Sequence, residues 1–291
     1  MSPPFFLVFT DLDGTLLDHN TYGWEEAIPA LELCRTRGVP VILVSSKTRA
    51  EMAALRRRLS ISAPFISENG GGVFFLKKTF NDPPSGSSPA DIPGLSPGDS
   101  IRLSAWEEKG LLKLSLGVSY DHLIKSFREI RKELGWRMKG FAEMEIEEIS
   151  RLTGLDKEGA RLATMREYDE PFMIEGEEPT DLAPLIRAAE QKGLLITSGG
   201  RFYHLQGKND KAKGMELITE WYQEYYKEVL TVALGDSPND FGMLERADFP
   251  VLIRSRRSFP DLKKRIPSLK ITDDIGPKGW NSAVLSILNK N

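Results

Sequence analysis

The stretch Phe5-Phe6-Leu7-Val8-Phe9-Thr10-Asp11-Leu12-Asp13-Gly14-Thr15 decides the fold. Its apolar half predicts a buried β-strand, and Gly14 marks a turn directly behind it. Asp11 and Asp13 therefore stand just past a strand's C-terminal end, where open α/β sheets bind their ligands. Residues i and i+2 at such an end point the same way, so the two carboxylates repel each other. A metal ion or phosphoryl chemistry relieves that conflict, whereas an ordinary acidic turn leaves it standing. A calcium loop is excluded. Counted from Asp11, the position where an EF-hand places its bidentate Glu is Tyr22.

Outward from this stretch, strand and helix alternate. A helix is predicted over 24–37, with Pro29 in its first turn and Gly38 as its stop. The run 39–44 is apolar throughout, as a parallel strand covered on both faces must be. Thr48 and Glu51 form a capping-box signature for the next helix, with Met52, Leu55 and Leu59 on one face. A short strand at 64–67, Asn69-Gly70-Gly71-Gly72 and a strand at 73–76 complete a βαβαβ unit. The expected fold class is α/β, with a Rossmann-like doubly wound parallel sheet as its core.

The alternation then breaks at a Pro/Ser-rich excursion, 81–99. Beyond it come a half-exposed strand through Leu112, Leu114 and Leu116, an amphipathic helix ended by Gly135, and two short helices broken near Gly154. A strand at 170–175, a helix at 180–192 and a hairpin about Gly199-Gly200 follow. This mixed order predicts an inserted α+β cap domain, residues 83–206, within a core domain of residues 1–82 and 207–291. The α/β pattern resumes with a helix at 212–226 and a strand at 229–234. That strand runs straight into Gly235-Asp236-Ser237-Pro238-Asn239-Asp240. A strand at 251–253 and a helix at 280–288 close the core.

Composition narrows the function classes. The 39 Lys+Arg against 42 Asp+Glu leave a net charge of −3, so neither a nucleic-acid footprint nor an acidic tail is present. The longest apolar runs fall far short of a membrane span, and the apolar N-terminal stretch is needed as a strand, not a leader. A single cysteine, Cys34, excludes an internal disulfide, and its helical spacing makes it core filler. The expectation is a soluble cytoplasmic protein acting on a small molecule, with no nucleic-acid or membrane partner.

The polar strand ends carry the chemistry. Asp11/Asp13, Ser45-Ser46-Lys47 and Asp236/Asp240 follow parallel strands and converge on one sheet edge. Carboxylates gathered there demand a cation, and an all-oxygen ligand set favours Mg²⁺. Asp11, Asp13, Asp236 and Asp240 are its candidate ligands. His19, His122 and His204 are scattered, so a zinc centre does not form, and neither a P-loop nor a dinucleotide glycine fingerprint occurs. Phosphoryl transfer through an aspartyl-phosphate fits this set. Asp11 is the expected nucleophile and Asp13 the acid/base. Ser45 holds the phosphoryl group, and a lysine neutralises its charge. Of Lys208, Lys211 and Lys213, Lys211 follows Asn209-Asp210 at the predicted helix start and is assigned that role.

In motif order the chain resembles the haloacid dehalogenase superfamily of phosphohydrolases. The carriers are Asp11-Leu12-Asp13-Gly14-Thr15, Ser45, Lys211 and Gly235-Asp236-Ser237-Pro238-Asn239-Asp240. An insertion after the third strand resembles the type II cap of the sugar-phosphatase branch. Four further stretches resemble the mannosyl-3-phosphoglycerate phosphatase family: 45–49, 68–72, 166–170 and 199–204. Such a resemblance implies removal of phosphate from a glycosyl phosphoglycerate. Ser46, Lys47, Arg49, Asn69, Gly70, Gly71, Arg201 and Asn239 are then candidates for its phosphate and carboxylate, and Glu167, Asp169, Tyr203 and His204 for its sugar hydroxyls. Alternatives are a sucrose-phosphate or broad sugar-phosphate phosphatase, and a sugar-phosphate-binding scaffold without activity.

Overall fold

The computed structural model describes residues 3–76, 102–104, 110–176, 179–199 and 202–290. The Pro/Ser-rich stretch 81–99 and Arg201 lie outside the described residues. Among the described residues the larger sheet holds nine strands in the order β13-β12-β11-β1-β2-β3-β4-β6-β5. In chain order these are β1 (Phe5–Thr10), β2 (Val41–Val44), β3 (Phe65–Ser67), β4 (Gly72–Leu76), β5 (Arg102–Ser104) and β6 (Leu111–Ser115). Four strands from the inserted stretch, β7 (Met138–Gly140), β8 (Asp169–Ile174), β9 (Leu195–Gly199) and β10 (Phe202–Gln206), build a second sheet. The chain then returns with β11 (Val229–Gly235), β12 (Phe249–Arg254) and β13 (Lys270–Ile275).

From β13 to β3 the pairing is parallel, and β4, β6 and β5 continue it antiparallel. Alternation along β1 shows why both faces are covered. Phe6 and Val8 enter one apolar core with Cys34, Met52, Leu55, Trp280 and Val284, while Leu7 and Phe9 enter the other with Met215, Ile218, Trp221 and Leu244. Trp221 and Trp280 anchor the two layers, and truncating either to Ala costs about 3–5 kcal/mol. Chain order places β2 on one side of β1 and β11 on the other. The C-terminal ends of β1 and β11 thus form the switch-point crevice of a doubly wound sheet.

The smaller sheet is antiparallel, in the order β7-β8-β10-β9. Phe172 and Leu205 face a core made with the helices Tyr120–Leu134 and Ala183–Gln191. Met173 and Phe202, on the opposite face, pack with Phe141, Ile149 and Ala160. The break between the helices Ile146–Thr153 and Lys157–Ala163 falls at Gly154, as the sequence predicts.

One expectation needs correcting. The sequence pattern puts the strand through Leu112 and Leu114 inside the insertion beginning at residue 83, whereas β6 pairs along the full length of β4 in the larger sheet. Leu111 and Leu114 complete the cores on opposite sides of that sheet, which the alternation alone did not reveal. The sequence pattern gives no sign of β5, β7 or β13, or of the helices Phe241–Arg246 and Leu262–Arg265; each is short or lies at a sheet edge.

Candidate active site

Strand register assembles the site. Thr10, the last residue of β1, pairs with Leu234 and with Leu43, so the turns beginning at Asp11, Ser45 and Asp236 leave the sheet side by side. Trp280 Nε1 donates to Thr10 Oγ1 at 3.0 Å and pins the strand end that carries Asp11. Lys211 opens the helix Lys211–Gln223, whose N-cap Asp210 accepts from Lys213 N. That first position aims its side chain back into the crevice, where Lys211 is 1% exposed.

Lys211 Nζ donates to Asp11 Oδ1 at 2.5 Å and to Asp240 Oδ1 at 2.7 Å. Asp240 engages its second oxygen with the amides of Asp236 and Ser237, at 3.0 and 3.1 Å, and so ties the turn together. Carboxylate oxygens of Asp11, Asp236 and Asp240 lie within 4.8 Å of one another. Gly14 makes that proximity possible. At φ +81° it sits where a Cβ would come within 2.8 Å of Asp236 Oδ2.

The electrostatics of the cluster are dominated by crowded negative charge. Burial, with repulsion from Asp240 and Asp236, pushes Asp11 up to about 8 despite the adjacent Lys211. Burial and Asp240 push Asp236 up to about 6. Burial also opposes the Lys211 ammonium, but Asp11 and Asp240 outweigh it and hold its pKa above the usual lysine range. One ammonium cannot balance three carboxylates. The donor set is all oxygen, and Asp11 and Asp236 are its members least committed to other partners, so the site fits a hard divalent cation.

Asp13 does not join this cluster. Its Oδ2 accepts from Lys47 Nζ at 2.8 Å, and Lys47 also lies over the Tyr22 ring. The expected fourth carboxylate ligand is instead half of an ion pair beside the site. Ser45 is buried, and its Oγ accepts from Lys47 N. Asn239 Nδ2 donates to Asn69 Oδ1 at 3.1 Å, joining the 236–240 turn to the turn after β3.

Residues from the inserted segment meet this edge. Glu167 accepts from Arg49 Nε at 2.7 Å and from Lys113 Nζ at 2.5 Å, and Arg166 Nη1 donates to Ser46 O at 2.9 Å. Asp169 is wholly buried, its Oδ2 shared by Arg166 (3.2 Å) and His204 Nδ1 (2.8 Å). Tyr203 packs against Phe172 in the core of the smaller sheet. The Gly71 amide donates to Glu68 O, so it does not stand open to an anion, and the Gly71 carbonyl accepts from Leu116 N and Gly117 N. The sequence assigns no site role to Lys113, Arg166, Glu68 or Asn209, although Glu68 and Arg166 lie in the resembling stretches 68–72 and 166–170. Lys113 carried a signal, a lone charge in the strand Leu111–Ser115 of the buried sheet.

The comparisons agree with this geometry. A family model described as haloacid dehalogenase-like hydrolase matches residues 8–83. A glucosyl-3-phosphoglycerate/mannosyl-3-phosphoglycerate phosphatase of Methanococcoides burtonii is 39% identical over 286 residues, covering 98% of each chain. A protein of the same name from Persephonella marina is 39% identical over 291 residues, covering 98% of this chain and 97% of its own. In structure, a Thermoplasma acidophilum protein superposes with a TM-score of 0.63 at 21% identity, covering 99% of this chain and 98% of its own. Relatives at that identity, matched over nearly their full length, place the chain by descent where its strand-end carboxylates place it by chemistry: it belongs to the haloacid dehalogenase-like hydrolases.

Proposed function

We propose that this chain hydrolyses the phosphate ester of a glycosyl-3-phosphoglycerate, accepting both the mannosyl and the glucosyl compound. The carrying observation is the buried Lys211 ammonium held between Asp11 and Asp240 at the switch point, with Asp236 beside them. The names of the two 39%-identical relatives supply the substrate class. A phosphate, a carboxylate and sugar hydroxyls would meet a cationic edge (Lys47, Arg49, Lys113) and His204, with the buried Arg166 and Asp169 supporting them from behind.

In this reading an Asp11 oxygen bonds to phosphorus as the ester P–O bond breaks, and Asp13 gives its proton to the departing glycerate oxygen. Asp13 then takes a proton from water as that water attacks the aspartyl-phosphate, releasing inorganic phosphate and restoring Asp11. Lys47, which donates to Asp13 Oδ2, would hold the Asp13 side chain in place between these two proton transfers. Lys211 neutralises charge on the transferred group, and Ser45 donates to it. Mg²⁺, held by Asp11 and Asp236 with Asp240 behind them, would keep those carboxylates ionised and draw charge from the phosphoryl oxygens. The segment 118–206 would act as the cap over this crevice, a shorter insertion than 83–206.

The test is phosphate release from mannosyl- and glucosyl-3-phosphoglycerate, sucrose 6-phosphate and glucose 6-phosphate, each with Mg²⁺ and with EDTA. Phosphate release from both glycosyl phosphoglycerates in preference to the other two esters, lost in EDTA, is expected. A higher kcat/KM on glucose 6-phosphate would overturn the substrate assignment.

A further inference from the structure

The turn Glu68-Asn69-Gly70 has three consecutive left-handed residues, with φ of 47°, 54° and 93°. Glu and Asn side chains are strained there, and such strain persists only where surrounding contacts over-determine it. Every link of this turn is accounted for. Glu68 N donates to Lys47 O and Asn69 N to Ser45 O, so the turn is fastened to the loop after β2. Asn209 Nδ2 donates to the carbonyls of both Glu68 and Asn69, two residues before Lys211. Asn69 Oδ1 accepts from Asn239, next to Asp240.

The Glu68 side chain points away from these links and toward the insertion. It is fully buried, and its carboxylate accepts from Tyr168 N at 2.8 Å and from Glu167 N at 3.1 Å. The Arg166 guanidinium on the insertion favours the ionised Glu68 carboxylate, but the hydrogen bonds themselves go to the main chain. The contact therefore fixes where the chain lies rather than which side chain it carries. The clamped residues are Glu167, which gathers Arg49 and Lys113, and Tyr168, whose hydroxyl bonds Ser115 at 2.6 Å. Asp169, with its Arg166 and His204 partners, comes next.

We infer that Glu68 is a positioning residue. Its carboxylate clamps the backbone of residues 167 and 168 and, through the strained turn it belongs to, fixes that segment in register with the turns bearing Ser45, Lys211 and Asp240. Glu68 touches none of the reacting groups; it sets the distance between the catalytic turns and the segment that reads the rest of the substrate. The kinetic consequence rests on the glycosyl-phosphoglycerate reading, whereas the mechanical one does not.

The experiment therefore has two arms on the full chain. Amide hydrogen exchange is followed in wild type, Glu68→Ala, Glu68→Asp and Glu68→Gln. Alanine and aspartate withdraw the acceptor, and glutamine keeps a carbonyl in its place. Exchange at Glu167 and Tyr168 is expected to rise about tenfold or more in the first two and to stay near wild type in Glu68→Gln, with the helix Tyr120–Leu134 unchanged in all. In the second arm, kcat/KM for the glycosyl substrate should fall about tenfold further than that for p-nitrophenyl phosphate, chiefly through KM, and Glu68→Gln should recover it. Should Glu68→Ala not fold, the aspartate and glutamine variants carry the same contrast. Equal protection of residues 167 and 168 in every folded variant would overturn the inference. If wild type ignores glycosyl phosphoglycerates, the substrate proposal fails and the exchange arm alone decides the role of Glu68.

Discussion

The Lys211 ammonium lies 2.5 Å from Asp11 Oδ1, and both side chains are withdrawn from solvent although 200 positions separate them in the chain. A buried ion pair of this kind is weak as a source of stability, but breaking it strands uncompensated charge. Lys211→Ala should lower turnover by about 10²–10³-fold and, in metal-free protein, cost about 3–5 kcal/mol of stability. Steady-state kinetics and urea unfolding read the two effects, and a turnover within threefold of wild type would remove Lys211 from the mechanism.

The two aspartates of the opening motif should fail differently. Asp11→Asn is expected to lose at least about 10³-fold in turnover with no covalent intermediate. With p-nitrophenyl phosphate, whose leaving group needs no acid, Asp13→Asn should still form the aspartyl-phosphate and stall at its hydrolysis, so a labelled phosphoenzyme, trapped by acid quench and released by hydroxylamine, should accumulate in that variant alone. Label on neither protein would argue against covalent catalysis.

Cation binding should be visible without substrate. The crowded Asp11, Asp236 and Asp240 carboxylates are relieved by a divalent ion. Mg²⁺ at about a hundredfold over its Kd should add about 2.7 kcal/mol of stability, seen as a Tm rise of several degrees. Asp236→Asn should abolish the rise. An unchanged Tm in wild type across millimolar Mg²⁺ would count against the site.

A separate pH effect is expected inside the smaller sheet. Burial lifts Glu170 from 4.5 to about 7, even though its carboxylate accepts from Tyr120 Oη at 2.6 Å and from Ala142 N. Between those two pH values the unfolded chain releases this proton while the folded protein keeps it. The unfolded state then binds fewer protons, so stability falls as pH rises across that window and levels off above about 7. The slope is at most roughly 1.4 kcal/mol per pH unit for one proton, a total on the order of a few kcal/mol. Glu170→Gln should flatten this part of the curve in urea melts at pH 4.5 to 7.5; an unaltered slope would assign the titration elsewhere.

Gly70 tests the turn beside the site. Its φ is +93°, and an added Cβ would fall 2.0 Å from Asp210 O, adjacent to Lys211. Gly70→Ala should destabilise by about 2–4 kcal/mol and also lower turnover, because the displaced backbone carries the lysine. Thermal unfolding and kinetics check both, and a neutral variant would show that the turn can move.

By itself the sequence determined the parallel core and the acidic turns that gather at its strand ends. Strands buried on both faces are written as unbroken apolar runs, such as Val41–Val44, and two carboxylates crowded at one strand end repel each other unless a cation or phosphoryl chemistry relieves them. The Thr48–Glu51 capping box and the Gly154 break were legible because they act over a few residues. What only the tertiary structure decided are relations between distant segments. Leu111–Ser115 alternates like any half-exposed strand, and only its pairing with β4 assigns it to the larger sheet. Asp13 reads like its neighbour Asp11, yet Lys47 takes it out of the acidic cluster. The reach of Glu68 to the amides of residues 167 and 168 leaves no mark in the sequence, because a backbone N–H is present at every such position whatever its side chain. Periodicity and turn chemistry are local properties of the chain, whereas charge pairing and clamping depend on which surfaces folding brings within about 3 Å.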